Sequence, residues 1–348
     1  MKEKTSEKPF PTVSIVGARG YAGLELAKLL LKHPGVRLTH CFATTEFALS
    51  DDLFEEEARN VICLPERELF RNLTDFVFLA TPAEVAMKLA PALIAEGRKV
   101  IDLSGAFRLK KNDYQDWYHF SHSAPELLGQ AHYGLVPFCG PLGPKTNLIS
   151  NPGCYASAIS LALIPLLRKN LVDPETIVID AKSGTTGAGR KAAENLIFSE
   201  VDGDCSPYRV GRHQHSPEIQ EAVESASGVV IDPHLITSLL PVKRGIIAGI
   251  YAQSKALGVE TLTEAYAEAY GNYPLVRFGP AISRLASLSK VVGTPYTHIS
   301  YELVGRKLYL FSCIDNLLKG AASGAIENLN SYLDLPSETG LIFSRRYS

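Results

Sequence analysis

Two stretches far apart in the chain hold residue types suited to covalent chemistry. In ISNPGCYASAISLALIPLL (residues 149–167), Cys154 follows the turn-forming Asn151-Pro152-Gly153 and opens an apolar run at helical spacing. A helix N-terminus offers unpaired N–H groups and partial positive charge, both of which stabilise a thiolate. A small buried residue at a tight turn is the competing reading, since free cysteine packs as a small hydrophobe. The second stretch is Arg212-His213-Gln214-His215. Histidines two apart face the same way on extended backbone. Imidazole exchanges protons near neutral pH, so one of them suits a general acid or base for Cys154, and such partners commonly lie far apart in sequence. A zinc site would need a third ligand at comparable spacing, and none is nearby. Plain surface or structural histidines remain the alternative.

Gly17-Ala18-Arg19-Gly20-Tyr21-Ala22-Gly23 follows the β-branched run TVSIVGA (12–18) and precedes a helical segment. Glycines in that context let a phosphate approach backbone N–H groups at the helix end, which marks Gly17, Gly20, Tyr21 and Gly23 as cofactor-binding candidates. The second strand ends in Ala43-Thr44-Thr45-Glu46. Thr44 and the position of Arg19, able to reach a 2′-phosphate, favour NADP; Glu46 argues for NAD. Asp102-Leu103-Ser104-Gly105-Ala106-Phe107-Arg108 ends another apolar strand, where open α/β sheets bind ligands; Arg108 suits a substrate carboxylate or phosphate as well as it suits the surface. The stretch from Lys182 to Lys191, including Arg190, is rich in small residues and reads either as an anion site or as a mobile loop.

The elements that position these residues can be read from periodicity. Strands are expected at 12–18, 36–44, 75–81 and 100–104, with helices at 24–33 and 83–97, Pro91 kinking or breaking the latter. Strand–helix–strand repeats mean a parallel sheet with right-handed crossovers. After the Cys154 helix the rhythm changes. Segments 176–184, 228–240 and 245–254 read as strands without regular helices between them. Residues 296–314 read as a hairpin with a type II′ turn at Gly305-Arg306. A helix over 261–271 opens with a capping-box pattern, Thr261 to Glu264, and a last helix covers 316–333. The fold class is α/β: a Rossmann-type doubly wound domain (12–153) plus an α+β catalytic or dimerisation domain with a mixed sheet (154–315). A short disordered tail (1–11) precedes them, and a C-terminal segment (316–348) follows.

The bulk composition narrows the class. With 348 residues, 46% hydrophobic and 21% charged, the chain can bury a full core, and two domains are expected. A net charge of −2 predicts no attraction to nucleic acid or to an acidic membrane. No apolar run is long enough to span a bilayer, and the polar start lacks a signal-peptide core. Six scattered cysteines without a C-x-x-C pair argue against a zinc ribbon or a disulfide framework. A reducing cytoplasm fits these features.

Taken together, GARGYAGLEL, LATPAEVAMKLAP, VIDLSGAFRL, SNPGCYASAISLAL, KSGTTGAGRK, YRVGRHQHSPEI, PVKRGI and IDNLLKGAASGAIENLN resemble the N-acetyl-γ-glutamyl-phosphate reductase family. That family lies within the aspartate-semialdehyde dehydrogenase-like superfamily, and the segments occur in its order over nearly the whole chain. The resemblance implies an arginine-biosynthetic reductase in which Cys154 attacks an acyl phosphate and NADPH reduces the resulting thioester. It implies that His213 moves the proton, with His215 as a second member, and that Asn151 and the Cys154 N–H donate to the oxyanion. It further implies substrate contacts from Arg108, Lys182 and Arg190, cofactor contacts from Ser183, Gly184 and Asn316, and a homodimer or homotetramer whose last helix returns to the first domain. Arg19, Ala22 and Gln214 depart from the usual pattern, as does VPFCGPLGPKTN (136–147); Gln214 stands where the family commonly has Arg. A relative acting on a carrier-bound acyl phosphate in lysine biosynthesis would want basic residues at the pocket mouth, whereas Ser50 to Glu57 is acidic. A non-catalytic nucleotide sensor would not need both Cys154 and His213. A nucleophilic Cys154 is expected to alkylate faster than the other five cysteines.

Overall fold

The computed structural model describes residues 10–342. The expected tail lies outside them except for Phe10 and Pro11, and so does the end of the expected C-terminal segment. The chain forms two seven-stranded sheets. The first contains β1 (Thr12–Val16), β2 (Arg37–Ala43), β3 (Ile62–Pro65), β4 (Phe76–Leu79), β5 (Lys99–Asp102), β6 (His132–Tyr133) and β7 (Leu148–Ser150). Their order is β3-β2-β1-β4-β5-β7-β6, and every pair is parallel. The order reverses between β1 and β4, which is where doubly wound sheets bind ligands. Helices α1 (Tyr21–Leu31) and α2 (Ala83–Ala95) are the crossovers after β1 and β4. Of the two outcomes expected at Pro91, a kink or a break, the break does not occur: α2 runs through it. Ala86, Met87, Ala90 and Leu93 on the same helix are buried, and that packing outweighs the one hydrogen bond proline forgoes.

The second sheet is mixed, as expected, with the order β12-β13-β14-β11-β8-β10-β9. Its strands are β8 (Val178–Ser183), β9 (Ser206–Pro207), β10 (His234–Leu239), β11 (Ile246–Gln253), β12 (Val276–Pro280), β13 (Thr297–Val304) and β14 (Lys307–Ile314). Central strand β11 runs antiparallel to both β8 and β14, while β10 runs parallel to β8. Helix α3 (Cys154–Arg168) packs on β11 and β14, flanked by α4 (His215–Ser227) and α5 (Val259–Tyr270). Residues Tyr155 to Leu167 of α3 are all buried, so this helix is the spine of the core. The β13–β14 turn has positive φ at Gly305 and not at Arg306, as a type II′ turn requires.

Three expectations about this half need correction. Helix α4 replaces what was read as irregular chain after the histidine pair. Its buried Ile219, Ala222 and Val223 keep helical spacing, but they are few among polar neighbours. Residues 229–233 are not strand; Gly228 ends α4 at φ +74°, and β10 starts only at His234. Helix α5 begins at Val259, so Thr261 lies inside it and no capping box forms.

After β14 the chain makes a π-turn, Leu318–Ala322, and helix α6 (Ser323–Tyr332), both packed against α1. His33 Nε2 and Asn330 Oδ1 are 2.9 Å apart, and Tyr332 packs edge-on to Phe76. The buried Lys319 ammonium lies 2.7 Å from both Glu327 oxygens and donates to Tyr273 Oη at 2.6 Å. Arg244, just before β11, bonds Glu25 on α1 and Asp315 beyond β14, adding a second tie between the sheets. Among the described residues no helix is long and apolar enough to cross a membrane.

Candidate active site

Strand β7 delivers Asn151, Pro152 and Gly153 to the N-terminus of α3. Gly153 is extended (φ −69°, ψ 155°) and Cys154 is the first helical residue. Only glycine fits at 153: a Cβ would stand 2.4 Å from His215 Nε2 and 2.8 Å from Arg108 Nη1. The Gly153 N–H donates to Glu218 Oε1 at 2.6 Å, and Tyr133 Oη donates to the same oxygen at 2.9 Å. Glu218 Oε2 lies 3.6 Å from Arg108 Nη1 and 3.8 Å from His215 Nε2, with no hydrogen bond of its own. On the other side, Gly320 of the π-turn abuts Cys154, since a Cβ at 320 would lie 2.6 Å from the Cys154 Cβ.

Cys154 opens on a cavity of about 950 Å³ lined also by Tyr155, Ser183, Gly184, Tyr208, Arg209, His213 and His215. The fold thus brings together the cysteine and both histidines. His213 is wedged edge-on against Tyr155 and Tyr208, whose hydroxyls are 2.9 Å apart. Its Nδ1 accepts the His215 backbone N–H at 3.1 Å, which places the hydrogen of the neutral ring on Nε2. No hydrogen bond joins Cys154 Sγ to His213 among the described residues.

Electrostatics departs from the sequence expectation at the thiol. Burial pushes Cys154 up to about 11, against Arg108 and the N–H groups of its own helix end, with Glu218 adding to the rise. Desolvation therefore outweighs the helix terminus, and the protein without ligands holds a thiol. Burial, then the His215 and Arg209 charges, hold His213 down at about 2. Burial, then Arg108 and Arg209, hold His215 at about 3. Both rings are neutral at physiological pH.

Several candidates stand elsewhere than expected. Asn151 is buried; its amide donates to Ala321 O at 3.2 Å and its Oδ1 accepts from Asn328 at 3.1 Å, so it ties the Cys154 loop to the C-terminal segment. Arg108 is neither a surface residue nor free: Nε donates to Asn151 O at 2.9 Å and Nη2 to Leu103 O at 2.7 Å. Lys182 alternates with the cavity-lining Ser183 on β8, so it faces the opposite side of the sheet and pairs with Asp180 at 2.5 Å. Arg190 donates to Arg19 O at 2.7 Å, beside the glycine turn and not in the Cys154 cavity. Asn316 accepts from Gly245 N at 2.8 Å and donates to Thr186 Oγ1 at 3.1 Å, so its amide is engaged at both ends within the protein. Gln214 is held by Arg209. Sequence reading missed Glu218, Tyr133 and Arg209; the other cation that lines the cavity, Lys191, closes the stretch read above as an anion site or a mobile loop. Glu218 sits in the HSPEI stretch quoted above, but only the fold reveals that it meets Gly153.

The glycine turn fits a dinucleotide phosphate. Gly17 has φ +85°, and a Cβ there would lie 2.3 Å from Ala80 O; a Cβ at Gly23 would lie 2.4 Å from Gly17 O. Gly20 is the extended residue before α1 and has no side chain to cap the helix, so no Gly20 side chain occupies the N-terminal end, where a helix takes a phosphate. Thr44 is exposed at the end of β2. Among the described residues no group of three or more His, Cys, Asp or Glu could hold a metal ion.

Comparison with known proteins agrees with this geometry. Residues 12–140 match the family described as semialdehyde dehydrogenase, NAD binding domain, and residues 154–316 match semialdehyde dehydrogenase, dimerisation domain. An N-acetyl-gamma-glutamyl-phosphate reductase of Geobacillus sp. is 38% identical over 343 residues, covering 96% of this chain and 99% of the relative. One of Campylobacter jejuni is 36% identical, covering 95% and 98%. Aspartate semialdehyde dehydrogenase II of Vibrio cholerae shares the fold with a TM-score of 0.71 at 15% identity, covering 94% of this chain and 99% of that one.

Proposed function

The chain belongs to the N-acetyl-gamma-glutamyl-phosphate reductase family, and on that premise we propose that it reduces N-acetyl-L-glutamyl 5-phosphate to the 5-semialdehyde with NADPH, a step of arginine biosynthesis in the cytoplasm. The observation that carries the reading is the placement of Cys154, at the start of α3, in one cavity with a neutral His213 whose Nε2 bears the hydrogen.

In this reading the Cys154 thiol gives its proton to solvent as the substrate binds, the resulting thiolate attacks the acyl carbonyl, the carbon–oxygen bond to phosphate breaks, and a thioester remains on Sγ. The released phosphate takes up a proton from solvent. The cofactor, when bound, supplies the hydride that reduces the thioester. The resulting hemithioacetal alkoxide collapses, expelling the Cys154 thiolate and freeing the aldehyde. Dividing the reduction this way replaces one difficult step with two easier ones. His213 serves both tetrahedral stages as a hydrogen-bond donor from Nε2, together with N–H groups at the start of α3. This donor role differs from the proton shuttle expected from sequence, because the His215 N–H occupies Nδ1. Arg209 and Lys191, the cations that line the cavity, would meet the substrate's phosphate or carboxylate. Gly17, Gly20, Tyr21 and Gly23 would hold the cofactor pyrophosphate, while Ser183 and Gly184, beside Cys154, would flank its reactive end.

We also assign the outer face of the second sheet to a homodimer. Val178, Ile236 and Tyr309 are each 36–39% exposed there, and Tyr251 stands between Val178 and Tyr309 in register. The proposed activity is tested by NADP⁺ reduction on addition of N-acetylglutamate semialdehyde. Phosphate-dependent reduction that vanishes in Cys154→Ala supports it; phosphate-independent reduction, or none in cofactor-binding protein, overturns it.

A further inference from the structure

Two arginines from different parts of the chain meet beyond the end of β2. Arg19, in the glycine turn, lies with Nη1 3.4 Å from Thr45 Oγ1 and Nε 3.8 Å from Asp52 Oδ2. Arg190 comes from the loop after β8, in the other half of the molecule. Its Nη1 donates to Arg19 O at 2.7 Å and its Nη2 lies 3.8 Å from Asp52 Oδ1. Both arginine side chains are nearly half exposed, at 45% and 46%. Two cations share one carboxylate, so a positive charge remains, and ion pairs this long and exposed contribute little to stability. They are easily exchanged for a better anion.

The location decides which anion. The end of the second strand of a doubly wound sheet is where the adenosine ribose lies, with its 2′ substituent directed at whatever residues stand there. Glu46 is exposed in this region, but the acid that meets the arginines is Asp52, already neutralised by them. Planar guanidinium groups bind a phosphate dianion through paired, charge-assisted hydrogen bonds that a ribose hydroxyl cannot match. The loop carrying Arg190 leaves the Cys154 cavity at Ser183 and Gly184, touches Arg19 through Arg190, and lines the cavity again from Lys191. It therefore links the thiol cavity to the glycine turn.

We propose that Arg190 and Arg19 form a clamp for the cofactor's 2′-phosphate, assembled from both halves of the molecule, with Asp52 as the resident counter-ion that the phosphate displaces. The proposal rests on the NADP reading above and reassigns Arg190 from substrate to cofactor. It makes the second half of the chain a determinant of cofactor choice.

The test is calorimetric binding of NADP⁺ and NAD⁺ to wild type, Arg190→Ala, Arg19→Ala and Asp52→Asn. Wild type binds NADP⁺ more tightly than NAD⁺. Arg190→Ala and Arg19→Ala each weaken NADP⁺ by roughly 10- to 100-fold, the worth of charge-assisted hydrogen bonds. Neither changes NAD⁺ affinity more than about twofold, which also shows that the variants fold. Asp52→Asn tightens NADP⁺. Equal losses for both cofactors in Arg190→Ala, or no loss for either, overturn the clamp while leaving the NADP reading in place. Weaker NADP⁺ binding in Asp52→Asn overturns the displacement. Equal wild-type affinities overturn the NADP reading itself, and the clamp with it.

Discussion

Glu218 Oε1 accepts the backbone N–H of Gly153 at 2.6 Å, so a buried carboxylate on α4 holds the residue immediately before the nucleophile. The same side chain faces Arg108 and His215. One residue thus couples the start of α3, the histidine segment and the arginine after β5. Helix α4 supplies both His215 and Glu218, one turn apart on a single face.

Removal of this carboxylate is expected to cost stability first. Glu218→Ala leaves Arg108 buried without its counter-charge, a loss of about 3–5 kcal/mol. Glu218→Gln keeps an acceptor for the Gly153 N–H and loses less. Urea unfolding of the three proteins checks the order; equal stability of Ala and Gln variants would remove Glu218 from this role.

Gly320 is the second support of the nucleophile. In Gly320→Ala the new methyl meets the Cys154 Cβ at 2.6 Å, and the π-turn, bonded from Gly320 N to Asp315 O and from Ala322 N to Leu317 O, has little room to yield. A displacement near 1 Å costs roughly 100-fold in turnover. Steady-state kinetics should show that loss in a protein with an unaltered circular dichroism spectrum. Full activity would mean that the turn relaxes.

The thiol predicts an unusual labelling profile. With Cys154 raised to about 11 by burial, its thiolate fraction grows about tenfold per pH unit from neutrality upward. In ligand-free protein, exposed Cys205 should react with iodoacetamide before Cys154 does, the reverse of the order expected from sequence. Peptide mapping after brief alkylation at pH 7 and pH 9 decides this. Fast, pH-independent labelling of Cys154 would show a preformed thiolate.

The two histidines separate activity from stability. His213→Asn should lower turnover by about 100- to 1,000-fold, the worth of one donor to the tetrahedral oxyanion, and His215→Asn by much less, since His215 Nε2 faces Glu218 within the protein. Both rings titrate below their unfolded value of about 6.5, so the unfolded chain binds the extra protons as the pH falls, and stability falls with it. Asp102, raised to about 6 by burial, acts with the opposite sign between about 3.8 and 6. Comparison with His213→Asn isolates one ring. Below pH 5.5 the wild-type stability should fall more steeply than that of the variant, by about 1.4 kcal/mol per pH unit. Parallel slopes would mean that His213 charges freely in the folded protein.

Much of this molecule is legible along the chain because the information is local. The run at 12–18 with its glycines, the apolar strands at 75–81 and 100–104, and the turn into a helix at Cys154 each depend on residues within a few positions. Backbone sterics and period therefore suffice to place them. Helix α4 escaped that reading because only a few apolar residues mark its buried face. What tertiary structure alone decided is which distant groups meet. Strand alternation turns Lys182 away from the cavity while Ser183 enters it, and long loops carry Arg190 to Arg19 and Glu218 to Gly153. The state of the thiol was likewise beyond the sequence. A helix end argues for a thiolate, and burial, which is a property of the whole fold, argues more strongly for the thiol.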